Sequence, residues 1–311
     1  MQFYYGISNP SGAIALDKRH FIVADDEENS LRVYHKKMTD KPLQTIELKK
    51  LFAGDVKNGK RQEIDLEGAA ELDGKFFWIG SHSSNRDGKP RPARHRLLAI
   101  KTVRDKNDAY IFQAEGEIYK NLIDDLAQDP RFDTYRFAKA GKIPPKDIGG
   151  LSIEGLAATR KQGLLIGFRN PLSGGNINGD KLEGGKALLI NLLNPFEVIQ
   201  GKSPRFADPI ELDMQGLGIR DIVLLKKRKY LIAAGPYYEN DSSEAGSNVK
   251  TRLYSWSSKS GKLKLLKKID LGDLNIEAVF AYPGKHKHIQ MLSDDGKRPL
   301  NLGFRSIRTK I

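Results

Sequence analysis

The chain has 311 residues, 39% hydrophobic and 29% charged, the balance of a folded globular protein rather than a disordered one. It contains no cysteine, which excludes disulfides, thiolate zinc sites and cysteine nucleophiles, and no apolar run approaches the roughly 18 residues of a membrane span. The net charge of +13 favours attraction to anionic partners and says nothing about fold.

The opening "MQFYYGISNPSG" lacks the basic and apolar regions of a secretory leader. A cytoplasmic location is therefore expected, or a periplasmic one if a leader precedes the chain. From Pro10 comes "PSGAIALDKRHFIVADDE", two apolar runs joined by a charged turn. A second copy, "LEGAAELDGKFFWIGSHS", begins at Leu66, and a third, "IEGLAATRKQGLLIGFRN", at Ile153. The third falls on the second without gaps at a spacing of 87 residues, matching Glu154 to Glu67 and Gly155 to Gly68; Gly12 of the first copy matches Gly68. A fourth, "IRDIVLLKKRKYLIAAGP", starts at Ile219, and a fifth with a longer turn, "IEAVFAYPGKHKHIQMLSDD", at Ile276. Each is the pattern of a β-hairpin, and repeats at this spacing signal an array, a solenoid or a propeller.

Each hairpin is followed by a polar loop and a third strand candidate: "SLRVY" from Ser30, "HRLLAI" from His95, "KALLINL" from Lys186, "TRLYSW" from Thr251 and "PLNLGF" from Pro299. A fourth follows in most units: "LQTIEL" from Leu43, "AYIFQA" from Ala109, "FEVIQ" from Phe196 and "KLLKKI" from Lys264. Four antiparallel strands per repeat predict an all-β fold, a single β-propeller over residues 1–311 with five blades, six being the alternative. "MQFYYGI" is free to supply the outer strand of the last blade and close the ring. The long second interval contains Tyr119, Leu122, Ile123 and Leu126 on one helical face, which predicts a short helical insertion over 117–129, ended by Pro130.

In an antiparallel hairpin the start of one strand and the end of the other share an edge. That edge gathers Ser11, Glu67, Glu154, Arg220 and Asp221, and Glu277 from strand starts. From strand ends it gathers Asp25 and Asp26, Ser81 and His82, Arg169 and Asn170, Tyr237, and Asp294. In a propeller they converge on the mouth of the central channel, and the long loops leave from the same face, where binding residues concentrate. The lysine-rich hairpin turns, Lys226 to Lys229 among them, fall on the opposite face.

Clustered carboxylates suit a hard cation such as calcium, with Asp26, Glu67, Glu154 and Glu277 as candidate ligands; the alternative is salt bridges to Arg169 and Arg220 between blades. His82, flanked by Ser81 and Ser83, suits ligand binding at the mouth better than general-base catalysis. The sequence has neither a Gly-x-Ser-x-Gly elbow nor a His-Glu-x-x-His helix. The basic stretch "RDGKPRPARHR", residues 86–96, either grips phosphate or carboxylate groups or is a solvated loop.

The segments "IEGLAA", "GLLIGFRNPL", "KALLINL", "LDMQGLGIRDI" and "YLIAAGP", with "ADDEEN" and "FFWIGSHS", resemble a bacterial family known as domain of unknown function 3616 over nearly the whole chain. More distantly, the recurring Glu-Gly at strand starts is similar to esterase-like, phytase-like propellers. That resemblance implies a calcium-supported funnel and phosphoester chemistry, but too few of their site residues match for function to be carried over. The expected function is binding of a small polar or anionic molecule in a charged funnel, with calcium or another divalent cation as the candidate cofactor. Alternatives are a metal-dependent hydrolase of phosphate or carboxylic esters and a protein-interaction scaffold. No membrane partner is expected, nucleic acid is disfavoured by the sparse aromatic residues, and a protein partner is allowed.

Overall fold

A computed structural model describes the chain except residues 8, 26–27, 39, 53–55, 58–59, 179–180, 239–250 and 295–302, and except the side chains of 56–57, 60–61 and 181. Five four-stranded antiparallel sheets form a five-bladed β-propeller. Blade 1 comprises Pro10–Ala15, His20–Asp25, Ser30–His35 and Gln44–Glu47; blade 2, Leu66–Leu72, Lys75–Gly80, Leu97–Arg104 and Tyr110–Tyr119. Blade 3 comprises Ser152–Ala158, Leu164–Asn170, Ala187–Leu192 and Ile210–Leu212. Blade 4 comprises Gly218–Lys226, Lys229–Gly235, Arg252–Ser257 and Leu263–Leu265. Blade 5 takes Ile276–Ala281, His288–Ser293 and Gly303–Lys310 from the C-terminal end and its outer strand, Gln2–Tyr5, from the N-terminal end. The ring therefore closes as the opening residues suggest.

The second strand of each blade lies between the faces of two neighbouring blades, which explains its nearly continuous apolar run. "KFFWIG" and "HFIVAD" are buried along all but their first residue. Apolar side chains gather into five clusters, one at each blade junction. The first strands pack on one another around the axis, the fifth returning to the first. At the matched glycines of these strands there is no room for a Cβ. A Cβ on Gly12 would come within 2.8 Å of the Glu67 carbonyl, and one on Gly155 within 2.8 Å of Ile219. These are close approaches that only glycine permits.

Three elements differ from expectation. "FEVIQ" is not a strand: Pro195–Val198 is a helical turn, opened by a proline already set at helical φ, and the fourth strand of blade 3 is Ile210–Leu212. The third strand of blade 5 is Gly303–Lys310, later than "PLNLGF", of which 299–302 lie outside the described residues. The insertion begins later and runs further than 117–129. Strand Tyr110–Tyr119 takes its first residues, helix Leu122–Ala127 follows, and Pro130–Tyr135 and Phe137–Ala140 add two more turns. Leu122, Ile123 and Leu126 are buried as the helical spacing predicts, in the cluster between blades 2 and 3. Among the described residues no helix is long and apolar enough to cross a membrane.

Candidate functional site

Every inner hairpin carries the same irregularity. In blade 2, Leu66 pairs with Gly80 and Gly68 with Ile79, so Glu67 is the extra residue of a β-bulge. Glu154 is skipped in the same way between Ile153 and Gly155, Arg220 between Ile219 and Asp221, and Glu277 between Ile276 and Ala278. In blade 1 the register slips between Pro10 and Ala13, across Ser11. A bulge leaves its extra residue out of the ladder and re-aims its side chain. The positions matched by the sequence repeats are thus the ones that the backbone turns toward the axis.

The charges so gathered pair with one another. Arg169 Nη1 donates to Glu154 Oε1 at 2.9 Å, and Arg169 Nε to the Pro236 carbonyl of blade 4 at 2.9 Å. Arg220 Nε lies 3.3 Å from Glu154 Oε2, and Arg220 Nη2 pairs closely with Glu277, which also accepts from Asn275 Nδ2 at 2.9 Å. Burial and the neighbouring Arg169 pull Arg220 down to about 10, so it stays charged near neutral pH.

A second network lines the wall beside blade 2. Arg94 Nη1 donates to Ser83 Oγ at 2.6 Å and lies 3.0 Å from Asp65, and its Nη2 donates to Glu63 at 2.8 Å. Ser83 Oγ is 2.9 Å from Ser81 Oγ, which donates to Asp65. Burial raises the Asp65 carboxyl above its ordinary range, against the opposing charge of Arg94. Asp65 and His82 both adopt left-handed backbone conformations, at φ 56° and 54°.

Both networks open on one axial cavity of about 1060 Å³. Glu63, Asp65, Glu67, Asp147, Glu154, Glu277 and Asp294 line it, against Arg86, Arg91, Arg94, Lys146, Arg169 and Arg220. Among the described residues, seven acids and six bases leave it near neutrality. Ser11 and Ser81 are also on the wall. Among the described residues no three His, Asp or Glu side chains are placed to hold a metal ion, and Asp26 lies outside them. A calcium ion takes about six to eight oxygens. The Glu154 and Glu277 carboxylates instead face guanidinium groups, so these two are not free to serve as cation ligands.

The other predicted residues support the wall from behind. His82 is fully buried off the cavity; its Nδ1 donates to the Gly80 carbonyl at 2.9 Å, and burial lowers it to about 3. Asn170 Nδ2 donates to the Pro145 and Asp147 carbonyls at 3.0 and 2.7 Å, fixing the loop that carries Lys146 and Asp147 to the rim. Asp221 is buried between blades 4 and 5 and accepts from the Ile222 and Val279 backbone N–H groups, both at 2.7 Å; burial raises its carboxyl well above the ordinary range. Tyr237 is buried and its hydroxyl accepts from Leu182 N at 2.7 Å, while Tyr238 lines the cavity. Asp25 lies 2.9 Å from Arg32 within blade 1. Asp65, Arg94, Lys146 and Asp147 were not singled out from the sequence; the density of arginines in residues 86–96 is the one signal that pointed near them.

The family described as protein of unknown function (DUF3616) matches residues 10–113 and 94–260, and the chain belongs to it. No curated protein matches the sequence. Among solved structures, a virginiamycin B lyase from Staphylococcus aureus is similar over 100% of this chain and 88% of its own, at 9% identity and a TM-score of 0.40. A luciferin-regenerating enzyme is similar over 99% of this chain and 92% of its own, at 9% identity and a TM-score of 0.43.

Proposed function

We propose that this member of the DUF3616 family binds, in its axial cavity, a small polar molecule carrying a carboxylate or phosphate group. The supporting observation is a division among the cavity's arginines. Arg94, Arg169 and Arg220 are held by carboxylates, whereas the more exposed Arg86 and Arg91 form no ion pair among the described residues. A guanidinium offers an anion two parallel donors. The cavity volume is close to the roughly 300–1,000 Å³ of small-molecule sites, which suits a metabolite-sized ligand. Wall hydroxyls and carboxylates complement hydroxyl or amine groups on the same molecule.

Calorimetric titration with di- and tricarboxylates, sugar phosphates and amino acids tests this. At least one class binds, and Arg91→Ala weakens it by about tenfold or more, as expected for a hydrogen bond to a charged group. Failure of every class to bind, or an Arg91→Ala variant that binds like the parent, sinks the reading.

A second reading, hydrolysis of a carboxylic ester, is favoured by the chain from Ser83 through Ser81 to Asp65. Ser83 Oγ attacks the ester carbonyl carbon and its proton moves through Ser81 to Asp65. The bond to the alcohol breaks, the alcohol leaves with that proton, and water hydrolyses the acyl-serine. Turnover of p-nitrophenyl acetate that Ser83→Ala abolishes is the expected result; turnover unchanged in Ser83→Ala removes the reading.

A further inference from the structure

The chain carries 52 basic and 39 acidic residues, yet the described residues lining its cavity are seven acids and six bases, so the excess of positive charge among the described residues lies elsewhere. Much of it stands on the opposite face, on the hairpin turns of blades 4, 5 and 1. Lys226, Lys227, Arg228 and Lys229 form the turn of blade 4, all exposed and none in an ion pair among the described residues. Lys285 and Lys287 of blade 5 and Lys37 of blade 1 are exposed and unpaired in the same sense. Two acids of the neighbouring turns are occupied. Asp17 takes His20, Arg104 and Tyr110, and Asp73 takes Gln162.

The fold keeps these like charges together at a cost. Lys226 stands directly opposite Lys229 in the ladder, an arrangement that destabilises a strand pair. Across the junction of blades 5 and 1, partial burial and the charges of Lys285, Arg308 and Lys37 lower the Lys36 ammonium below its ordinary range. Lys36 sits 5.3 Å above the Tyr282 ring, a contact that offsets part of that repulsion. Among them Met38 is 58% exposed.

We infer that this face docks the protein on an anionic phospholipid surface. The turns are short and project neither a helix nor a ribbon, so they present a broad charged face rather than a probe for a nucleic-acid groove. Lysine, a compact and strongly hydrated charge on a flexible stem, dominates it and suits laterally mobile headgroups. Basic residues near such a surface each add to the attraction, and Met38 supplies an apolar contact. The expectation of no membrane partner rested on the absence of a spanning segment, which a docking face does not require.

Co-sedimentation of the whole chain with vesicles tests it. Vesicles of phosphatidylcholine with one third phosphatidylserine bind the protein, phosphatidylcholine alone does not, and added salt releases it. The double variant Lys226→Ala with Lys229→Ala lowers the partition coefficient on the order of 20-fold, while its thermal midpoint stays the same or rises because the repelling pair is gone. Absent or equal binding to the two vesicles, an unchanged variant, or preferential capture by duplex DNA at the same salt overturns the inference. The cavity ligand does not enter this test, so it stands or falls apart from the reading above.

Discussion

Arg220 Nε lies 3.3 Å from Glu154 Oε2, and the other end of the same guanidinium pairs with Glu277, so one side chain joins blades 3, 4 and 5 at the axis. Its own side chain is 9% exposed and that of Glu154 6%. Charges this far from water depend on their partners, and the network responds as a unit.

Glu154→Gln leaves the buried Arg220 and the half-buried Arg169 facing a neutral amide. It lowers unfolding free energy in urea by about 3 kcal/mol, the lower end of the cost of breaking a buried pair. Lys227→Ala, in an exposed turn of the far face, changes it by less than about 1 kcal/mol. If the two effects come out reversed, the buried axis does not carry the stability assigned to it.

Asp221→Asn keeps the shape of the side chain but supplies one acceptor where two backbone N–H groups now find one each. The cost is about 1–3 kcal/mol, for one buried N–H left without a partner. Hydrogen exchange at Ile222 and Val279 accelerates with it; unchanged protection at both amides contradicts the clamp between blades 4 and 5.

His82 titrates near 3 in the folded chain because it is buried, against an ordinary value of 6.5. The unfolded chain therefore binds an extra proton between these values. The His82 contribution to stability is complete above pH 6.5 and is lost as pH falls toward 3, at about 1.4 kcal/mol per pH unit. His82→Asn, which tolerates the left-handed backbone, flattens the fall in urea midpoint between pH 6.5 and 4. A slope identical to the parent's excludes His82 as its source.

Tyr4 fastens the closing strand: its ring packs on Phe21, Tyr34 and Phe304, and its hydroxyl donates to the Lys36 carbonyl at 2.8 Å. Tyr4→Ala destabilises by about 3–5 kcal/mol and Tyr4→Phe by only about 1 kcal/mol. Equal losses in thermal or urea unfolding contradict a role based mainly on ring packing.

The repeat was legible in the sequence because its matched residues, Glu67, Glu154, Arg220 and Glu277, are the bulged ones, and a bulge conserves the position of the charge it re-aims. The bulge itself was not legible, since two residues facing one leave no compositional trace. His82 was misplaced for a related reason. Two successive residues after a strand end do not share a face: Ser81 and Ser83 line the cavity, while His82 between them is buried off it. "FEVIQ" was misread because a buried helical turn and a buried strand select the same apolar residues, as Val198 and Ile199 show. Pro195, one residue before the apparent strand, carried the information. Arg94 and Asp65 meet only once blade 2 has formed.

The outer strand of the last blade is made before the other strands of the propeller. Gln2–Tyr5 leaves the ribosome with no partner, and Gly303–Lys310, which it pairs with, follows almost a whole chain later. At about 5–20 residues per second, that delay is roughly 15 to 60 seconds. Throughout it Phe3, Tyr4 and Tyr5 are an unsheltered aromatic strand on a nascent chain whose first four blades can already be assembling. Whatever shields that strand during synthesis, or pairs with it wrongly, decides whether the ring closes.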